Sequence, residues 1–435
     1  MKAIRTVLVL LLAFLTVPCV TIALEWHIET VDDQKAGTYT SLFLDANGYP
    51  HISYGAGVPC KLRYAYFDGS SWNIQTVDSA GSVGLYNSLY LGASDYPHIS
   101  YYDADNYDLK YAYFDGLSWQ IQTVDSAESV GRCPSLALDS DGYPHISYHD
   151  STNGVLKYAY FDGSWQIQIL DSVGSPACPT SLALDSRGRP HISYHDDNDQ
   201  VLKYAYFNGF FWNIEIVHGP GAGWTNSLAL DSSNYPHISY YDFVKDDLMY
   251  AYFDGSSWNI QTVDSVGDVG AYPSLALDFH DYPHISYQAG VINPDLKYAY
   301  FDGSSWNIQT LTKPGIYPSL SLDFHGYPNL SYCDSDNMNL KYAYAYGGAG
   351  TINGHVTSTG APIKWAIVIA IQKPGKARAF TNGDGYYEIG DLPPGPWVVI
   401  CIKREYKAGF ANVIVEDGKT TTVDFQLQPK LKAAD

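Results

Sequence analysis

The 435-residue chain has only three Met, six Cys and 16% charged residues, and beyond residue 24 it has no apolar run long enough to cross a bilayer. With 46% hydrophobic and 15% aromatic residues, so little charge excludes a disordered or coiled-coil chain. Basic residues are scarce as well: 25 Lys and Arg against 46 Asp and Glu leave a net charge of -21. Such a chain repels phosphate backbones and anionic headgroups, which excludes nucleic acid as an expected partner and leaves a membrane only through an uncleaved amino-terminal segment. Nucleophile elbows, Ser-His-Asp spacings and metalloprotease motifs are also missing. What is abundant is Tyr (39), Gly (38) and Pro (23), a composition of strands joined by tight turns.

Lys2 and Arg5 precede an apolar run from Val7 to Leu24, with Thr21 and Ala23 offering a small-residue cleavage site. This is the layout of a secretory signal peptide over residues 1–24, so the mature chain is expected to be extracellular, secreted or held at the cell surface. Five cysteines remain after cleavage, an odd number in a compartment that permits disulfides.

The dominant feature is a repeat. Pro50-His51-Ile52-Ser53-Tyr54 recurs around His98, His145, His191, His237 and His284, and a seventh copy reads Pro328-Asn329-Leu330-Ser331-Tyr332. The steps are 47, 47, 46, 46, 47 and 45 residues, the period of a four-stranded propeller blade. Each unit holds four alternating strand candidates, such as Ser135 to Asp139, the pentapeptide strand, Leu156 to Tyr160, and Trp165 to Asp171. Between the first two stands Gly48, Asp95, Gly142, Gly188, Asn234, Asp281 or Gly326, all residue types that tolerate positive φ. Asp-Gly or Asn-Gly joins the third strand to the fourth in six units.

Six tryptophans open fourth strands after these hairpins, and the seventh unit ends at Tyr346 without one. Trp26-His27-Ile28-Glu29-Thr30-Val31-Asp32 carries the missing pattern at the other end of the chain. It is expected to pair into the last unit and close a seven-bladed β-propeller over residues 25–349, leaving only short, protected edges.

From Thr351 the repeat vanishes. Residues 25–349 hold 13 basic and 38 acidic side chains, whereas residues 350–435 hold 10 and 8. Runs such as Ala366 to Ile371 and Trp397 to Ile402 read as a β-sandwich over 350–430, making the whole chain all-β. The order Gly354-His355-Val356, Gly360-Ala361-Pro362-Ile363, Thr381-Asn382-Gly383-Asp384-Gly385-Tyr386-Tyr387, Leu392-Pro393-Pro394-Gly395 and Gly418-Lys419-Thr420-Thr421 resembles the carboxypeptidase regulatory-like domain. That resemblance covers residues 351–429 and implies a non-catalytic, transthyretin-like sandwich appended to a secreted or surface protein; only Pro396-Trp397 departs from the pattern. The repeat half resembles extracellular seven-bladed propellers of the sialidase-like or lectin-like kind. Sialidase chemistry would need an arginine cluster with a Tyr and a Glu. The propeller has only Arg63, Arg132, Arg187 and Arg189, and between Trp72 and Ala349 only Glu128 and Glu215.

Function is expected where the repeat breaks, on the face where loops between units meet loops joining second and third strands. Tyr39, Tyr86, Tyr272 and Tyr317 stand there two residues before each first-strand Ser, with Trp224 shifted by one, and these flat amphipathic rings form the candidate ligand site. The opposed reading is that they only plug the channel. The repeated histidines read as buried groups bonded to Ser, Asp or Trp. Aspartates at 103, 105 and 108, at 196, 197 and 199, and at 334 and 336 offer oxygens to calcium, but their spacing lacks a full ligand set, so no cofactor or metal is assigned. Ring closure makes Cys60 a neighbour of Cys333 and Cys133 a neighbour of Cys178, the expected disulfides, with Cys401 a free core thiol. The chain is expected to be a monomeric binding protein for a glycan or a cell-surface protein. The alternatives are an extracellular glycoside hydrolase or lyase, and a structural component of the cell envelope.

Overall fold

The computed structural model describes residues 24–174, 179–290, 294–346, 350–372, 375–392, 395–415 and 418–430, so the signal-peptide assignment and Cys178 lie outside the described residues. The described residues of the repeat form seven four-stranded antiparallel sheets, each one repeat unit long. Sheet 1 runs Ala36–Leu44, Pro50–Ala56, Lys61–Phe67 and Trp72–Asp78 from the innermost strand outward, and sheets 2 to 6 follow the same order along the chain. Sheet 7 takes Ile316–Leu322, Pro328–Asp334 and Asn339–Tyr346 from the end of the repeat and Glu25–Asp32 from its beginning. The latter pairs antiparallel from Glu25↔Tyr346 to Asp32↔Leu340. The amino-terminal strand therefore supplies the missing fourth strand, and the repeated sheets have the organisation of a β-propeller.

Three rings of seven contacts hold neighbouring sheets together, and each passes through the seam. At the centre, the first-strand Ser of each sheet accepts a backbone N–H from the next at 2.9–3.1 Å, from Leu89 onto Ser41 round to Leu42 onto Ser319. At the rim, each fourth-strand Trp donates its indole N–H to a Gln or Glu of the preceding sheet at 2.9–3.2 Å. The same indoles stand edge-on to third-strand tyrosines with centroids 5.2–5.5 Å apart. Between these rings, apolar clusters such as Leu62, Leu89, Ile99 and Tyr101 fill each gap. The unit is too small to bury its own faces, so the neighbouring sheet supplies the core.

Hairpins between first and second strands behave as their sequences require. Gly48, Asp95, Gly142, Gly188, Asn234, Asp281 and Gly326 all have φ between 58° and 84°. The opening Asp of each turn accepts backbone amides, as Asp45 does from Asn47 at 2.8 Å and Tyr49 at 2.7 Å.

A buried charged staple also recurs between sheets. The second-strand tyrosines 54, 101, 148, 194 and 287 donate at 2.7–2.8 Å to the Asp that ends the preceding sheet's fourth strand. A third-strand cation joins each of these carboxylates; Lys157 lies 3.1 Å from Asp125 and 2.8 Å from Asp150. Between sheets 4 and 5 both charges are replaced at once: His218 takes the Asp position, its Nδ1 2.9 Å from the Tyr240 hydroxyl, and Met249 takes the Lys position. Asp125→Ala should leave the Tyr148 hydroxyl without its acceptor and Lys157 with Asp150 alone, and cost about 3 kcal/mol. The double change Asp125→His/Lys157→Met copies the natural pair but takes the lysine from Asp150, whose equivalent Asp242 keeps Lys245 at 3.2 Å, so it should recover only part of that loss in urea denaturation; equal losses in single and double variants would refute the coupling.

Residues 350–430 form two facing sheets, one built on Gly350–Ser358 and Tyr386–Leu392, the other ordered Gly375–Phe380, Ile367–Gln372, Gly395–Ile402, Gly409–Val415. Val356, Val368, Tyr387, Ile389 and Val399 fill the space between them. Trp397, where the motif departs, is buried in that core, so the departure changes packing rather than fold. Among the described residues no helix is long and apolar enough to cross a membrane.

Candidate functional site

The innermost strands converge on a cavity of about 170 Å³ at one mouth of the central channel. Every sheet contributes the residue two before its Ser: Tyr39, Tyr86, Cys133, Pro179, Thr225, Tyr272 and Tyr317. The four tyrosines come from sheets 6, 7, 1 and 2 and are contiguous. Their centroids are 4.3 Å apart for Tyr39 and Tyr86, 4.4 Å for Tyr39 and Tyr317, and 5.0 Å for Tyr272 and Tyr317. The small residues Cys133, Pro179 and Thr225 leave the other half of the mouth open. Sequence reasoning missed these three because it sought aromatics; the fixed offset from the repeated Ser would have found them.

Each of these tyrosines has φ between 49° and 54°, as has Cys133 at 51°. A left-handed backbone costs an aromatic residue free energy and persists only where surrounding structure imposes it. Here the next sheet imposes it in part: Asn87 donates to Tyr39 O at 2.7 Å, Thr40 to Tyr317 O at 2.9 Å and Thr180 to Cys133 O at 3.2 Å. The Tyr39 hydroxyl is bonded to those of Tyr86 and Tyr317, and burial pushes its ionisation far above the ordinary phenol range. Burial raises the ionisation of Tyr317 in the same sense, so Tyr39 and Tyr317 act as neutral hydrogen-bonding rings.

Trp224 does not join this cluster. It is 45% exposed and its ring centroid lies 6.5 Å from those of Tyr241 and Phe243, in a second aromatic group on the first and second strands of sheet 5 and the turn that follows them. The one-residue shift in sequence turns the indole away from the channel and gives its place to Thr225.

The repeated histidines have a different set of partners from the expected Ser and Trp. Nδ1 of His51, His98, His145, His191, His237 and His284 bonds to a third-strand Tyr hydroxyl, which for His51 is Tyr64. In five of them Nε2 faces the hairpin Asp at 3.6–3.9 Å. In the acidic loops Asp103 and Asp196 are buried, whereas Asp105, Asp197, Asp199 and Asp336 are exposed. Asp103 binds Lys110 at 2.8 Å and Asp196 binds Lys203 at 2.5 Å, so lysines already hold these two carboxylates. Among the described residues no group of three or more His, Cys, Asp or Glu is placed to hold a metal ion.

The expected Cys60–Cys333 disulfide is not formed: both are free thiols, as are Cys133 and Cys401. They do meet one strand, but at different points. Cys333 Sγ lies 3.7 Å from the Ala36 carbonyl, while Cys60 bonds to the Thr38 side chain two residues on. The partner expected for Cys133 lies outside the described residues. Cys401 is fully buried in the sandwich, where burial pushes its thiol up to about 11.

Several solved structures are similar to the repeat region. A fungal lectin from Aleuria aurantia, described as a six-bladed β-propeller with a fucose recognition mode, is 16% identical, with 66% of this chain and 98% of that chain covered at a TM-score of 0.45. AofleA from Arthrobotrys oligospora is 12% identical over 66% and 90%, also at 0.45. A protein of unknown function from Dyadobacter fermentans is 12% identical over 73% and 98%, at 0.44. No curated protein matches the sequence significantly. Residues 351–428 match the carboxypeptidase regulatory-like domain, the family that their motifs resemble.

Proposed function

We propose that the chain is a secreted or surface-displayed binding protein, a seven-bladed propeller that recognises a glycan at the channel mouth without transforming it. One observation carries this reading: four contiguous tyrosines, held in a left-handed backbone, present phenol faces and hydroxyls around one small cavity. Aromatic faces with hydroxyl rims suit the apolar face and polar edge of a sugar ring. A volume of about 170 Å³ falls below the ~300–1,000 Å³ of pockets that engulf a small molecule, which favours contact with one terminal sugar over enclosure of an oligosaccharide. Catalysis has less support. Glu29 and Glu215 are engaged by Trp72 and Trp258 at the rim, remote from the mouth.

A glycan array tests this reading, with methyl fucoside, the sugar class named for the lectins above, as one arm. Tyr39→Ala and Tyr272→Ala are each expected to weaken array binding by at least about tenfold, roughly 1.4 kcal/mol, without lowering the midpoint of urea unfolding. Binding that survives both substitutions would remove the mouth as the site. Turnover of a glycoside panel would replace the reading with the hydrolase one.

A further inference from the structure

At the end opposite the tyrosines, the gaps between sheets open to solvent, and three cavities occupy equivalent places there. Those between sheets 3 and 4 and between sheets 4 and 5 measure about 250 and 220 Å³, and Arg189 lines both. The cavity at the seam, between sheets 7 and 1, reaches about 860 Å³. It contains no Lys or Arg; Tyr49 stands where Arg189 does, and the walls carry Glu25, Glu29 and Asp323.

Asp323 is the residue that changes the chemistry. In sheets 1, 3, 4, 5 and 6 its counterpart faces a histidine Nε2 at 3.6–3.9 Å. In sheet 7 that histidine is Asn329, whose side-chain oxygen is taken by Tyr342. Asp323 keeps its turn amides, from His325 at 2.8 Å and Tyr327 at 2.9 Å, but has lost the imidazole that faces its counterparts. The nearest replacement is His325; burial opposes both its protonation and the ionisation of Asp323, so a buried carboxylate here gains from a cation brought to it. Burial first, and then Glu29 beside them, raise the ionisation of Tyr342 and Tyr344.

The remaining walls are aromatic. The strand Asn339–Tyr346 sets Tyr342, Tyr344 and Tyr346 on one face, with successive centroids 5.6 and 6.2 Å apart. Tyr49, Phe67 and Phe324 stand on other sides. Gln372 of the sandwich reaches the same wall, its Nε2 2.9 Å from His325 Nε2.

We infer that the seam cavity binds an organic ammonium ion, its charge set between Glu29 and Asp323 and its alkyl groups against the tyrosine and phenylalanine faces. Aromatic faces attract such cations, most strongly where water is excluded. The volume lies within the ~300–1,000 Å³ range of small-molecule sites. A neutral ligand of the same size would desolvate the carboxylates and return nothing. The negative field of the whole chain would concentrate cations at the entrance.

Calorimetry on the full chain with choline, and with its uncharged carbon isostere 3,3-dimethyl-1-butanol, tests this inference. Choline should bind at least tenfold more tightly than the isostere. The double variant Glu29→Gln/Asp323→Asn should weaken choline at least tenfold, whereas Tyr272→Ala at the channel mouth should leave it unchanged. Because the isostere is compared on the native protein, the outcome does not depend on how the variants fold. Equal binding of the two probes, no binding of choline, or full binding by a folded double variant would overturn the proposal. Loss of the glycan reading would leave it untouched.

Discussion

Removing residues 25–32 should abolish the cooperative unfolding transition of the repeat at neutral pH. That segment contributes an eight-residue strand, seven of whose residues pair with the Asn339–Tyr346 strand. It also contributes Trp26, which stands edge-on to Tyr298 at 5.3 Å and donates to Gln309 at 3.1 Å. Deleting a packed Trp side chain alone costs about 3–5 kcal/mol. Whole domains are stable by only about 5–15 kcal/mol, so losing the strand as well removes most or all of the margin. The damage should spread beyond sheet 7. Each gap is filled from both sides, and opening the seam exposes the clusters around Leu296 and Leu330 on one side and around Ile52 and Tyr54 on the other. Urea denaturation followed by tryptophan fluorescence measures this; a truncated chain with an unchanged midpoint would refute it. A milder version, Trp26→Ala, should lose about 3 kcal/mol while remaining folded.

Stability should also fall steeply as pH drops from about 6.5 to 4. Burial holds His98 and His191 at about 4, and lowers His51, His145 and His237 in the same sense. In this window the unfolded chain binds protons at these histidines and the folded chain does not, so each step down in pH favours unfolding. The stability they support is complete above the unfolded value near 6.5 and is lost as pH approaches the folded value of about 4. For His98 and His191 the loss is roughly 3 kcal/mol each, an order-of-magnitude figure. Sheet 7 supplies the control: Asn329 bonds the same tyrosine position, to Tyr342, without a titrating ring. His98→Asn should therefore flatten the pH dependence between 6.5 and 4 by about half of what His98→Asn/His191→Asn achieves. Parallel pH profiles for wild type and the double variant would contradict this origin of acid sensitivity.

The architecture was legible in the sequence because it is written seven times. Turn chemistry at Gly48 and its six counterparts fixed the first hairpins, and the surplus strand beginning at Trp26 identified the closing segment. The side-chain partners were less accessible. His51 and Tyr64 are 13 residues apart on adjacent strands, and their contact depends on cross-strand register, which a one-residue slip would destroy. The thiol pairing failed for a similar reason: closure brings Cys60 and Cys333 to the same strand, but side-chain direction sends one to Ala36 and the other to Thr38. The mouth was half legible. Four tyrosines at a fixed offset announced it, whereas the open half made by Cys133, Pro179 and Thr225 carried no distinctive chemistry. The seam cavity was not legible at all. It combines the replacement of the repeated His by Asn329 with a strand borrowed from the far end of the chain and Gln372 of the sandwich in its wall.

Hydrogen exchange read by mass spectrometry tests the ring closure most directly. The backbone amides of residues 26–30 should be protected as strongly as those of 340–345 and should become exchangeable together with them, in the same global opening that exposes the inner strands. Rapid, independent exchange of 26–30 beside a protected 340–345 would show that the amino-terminal strand does not close the ring.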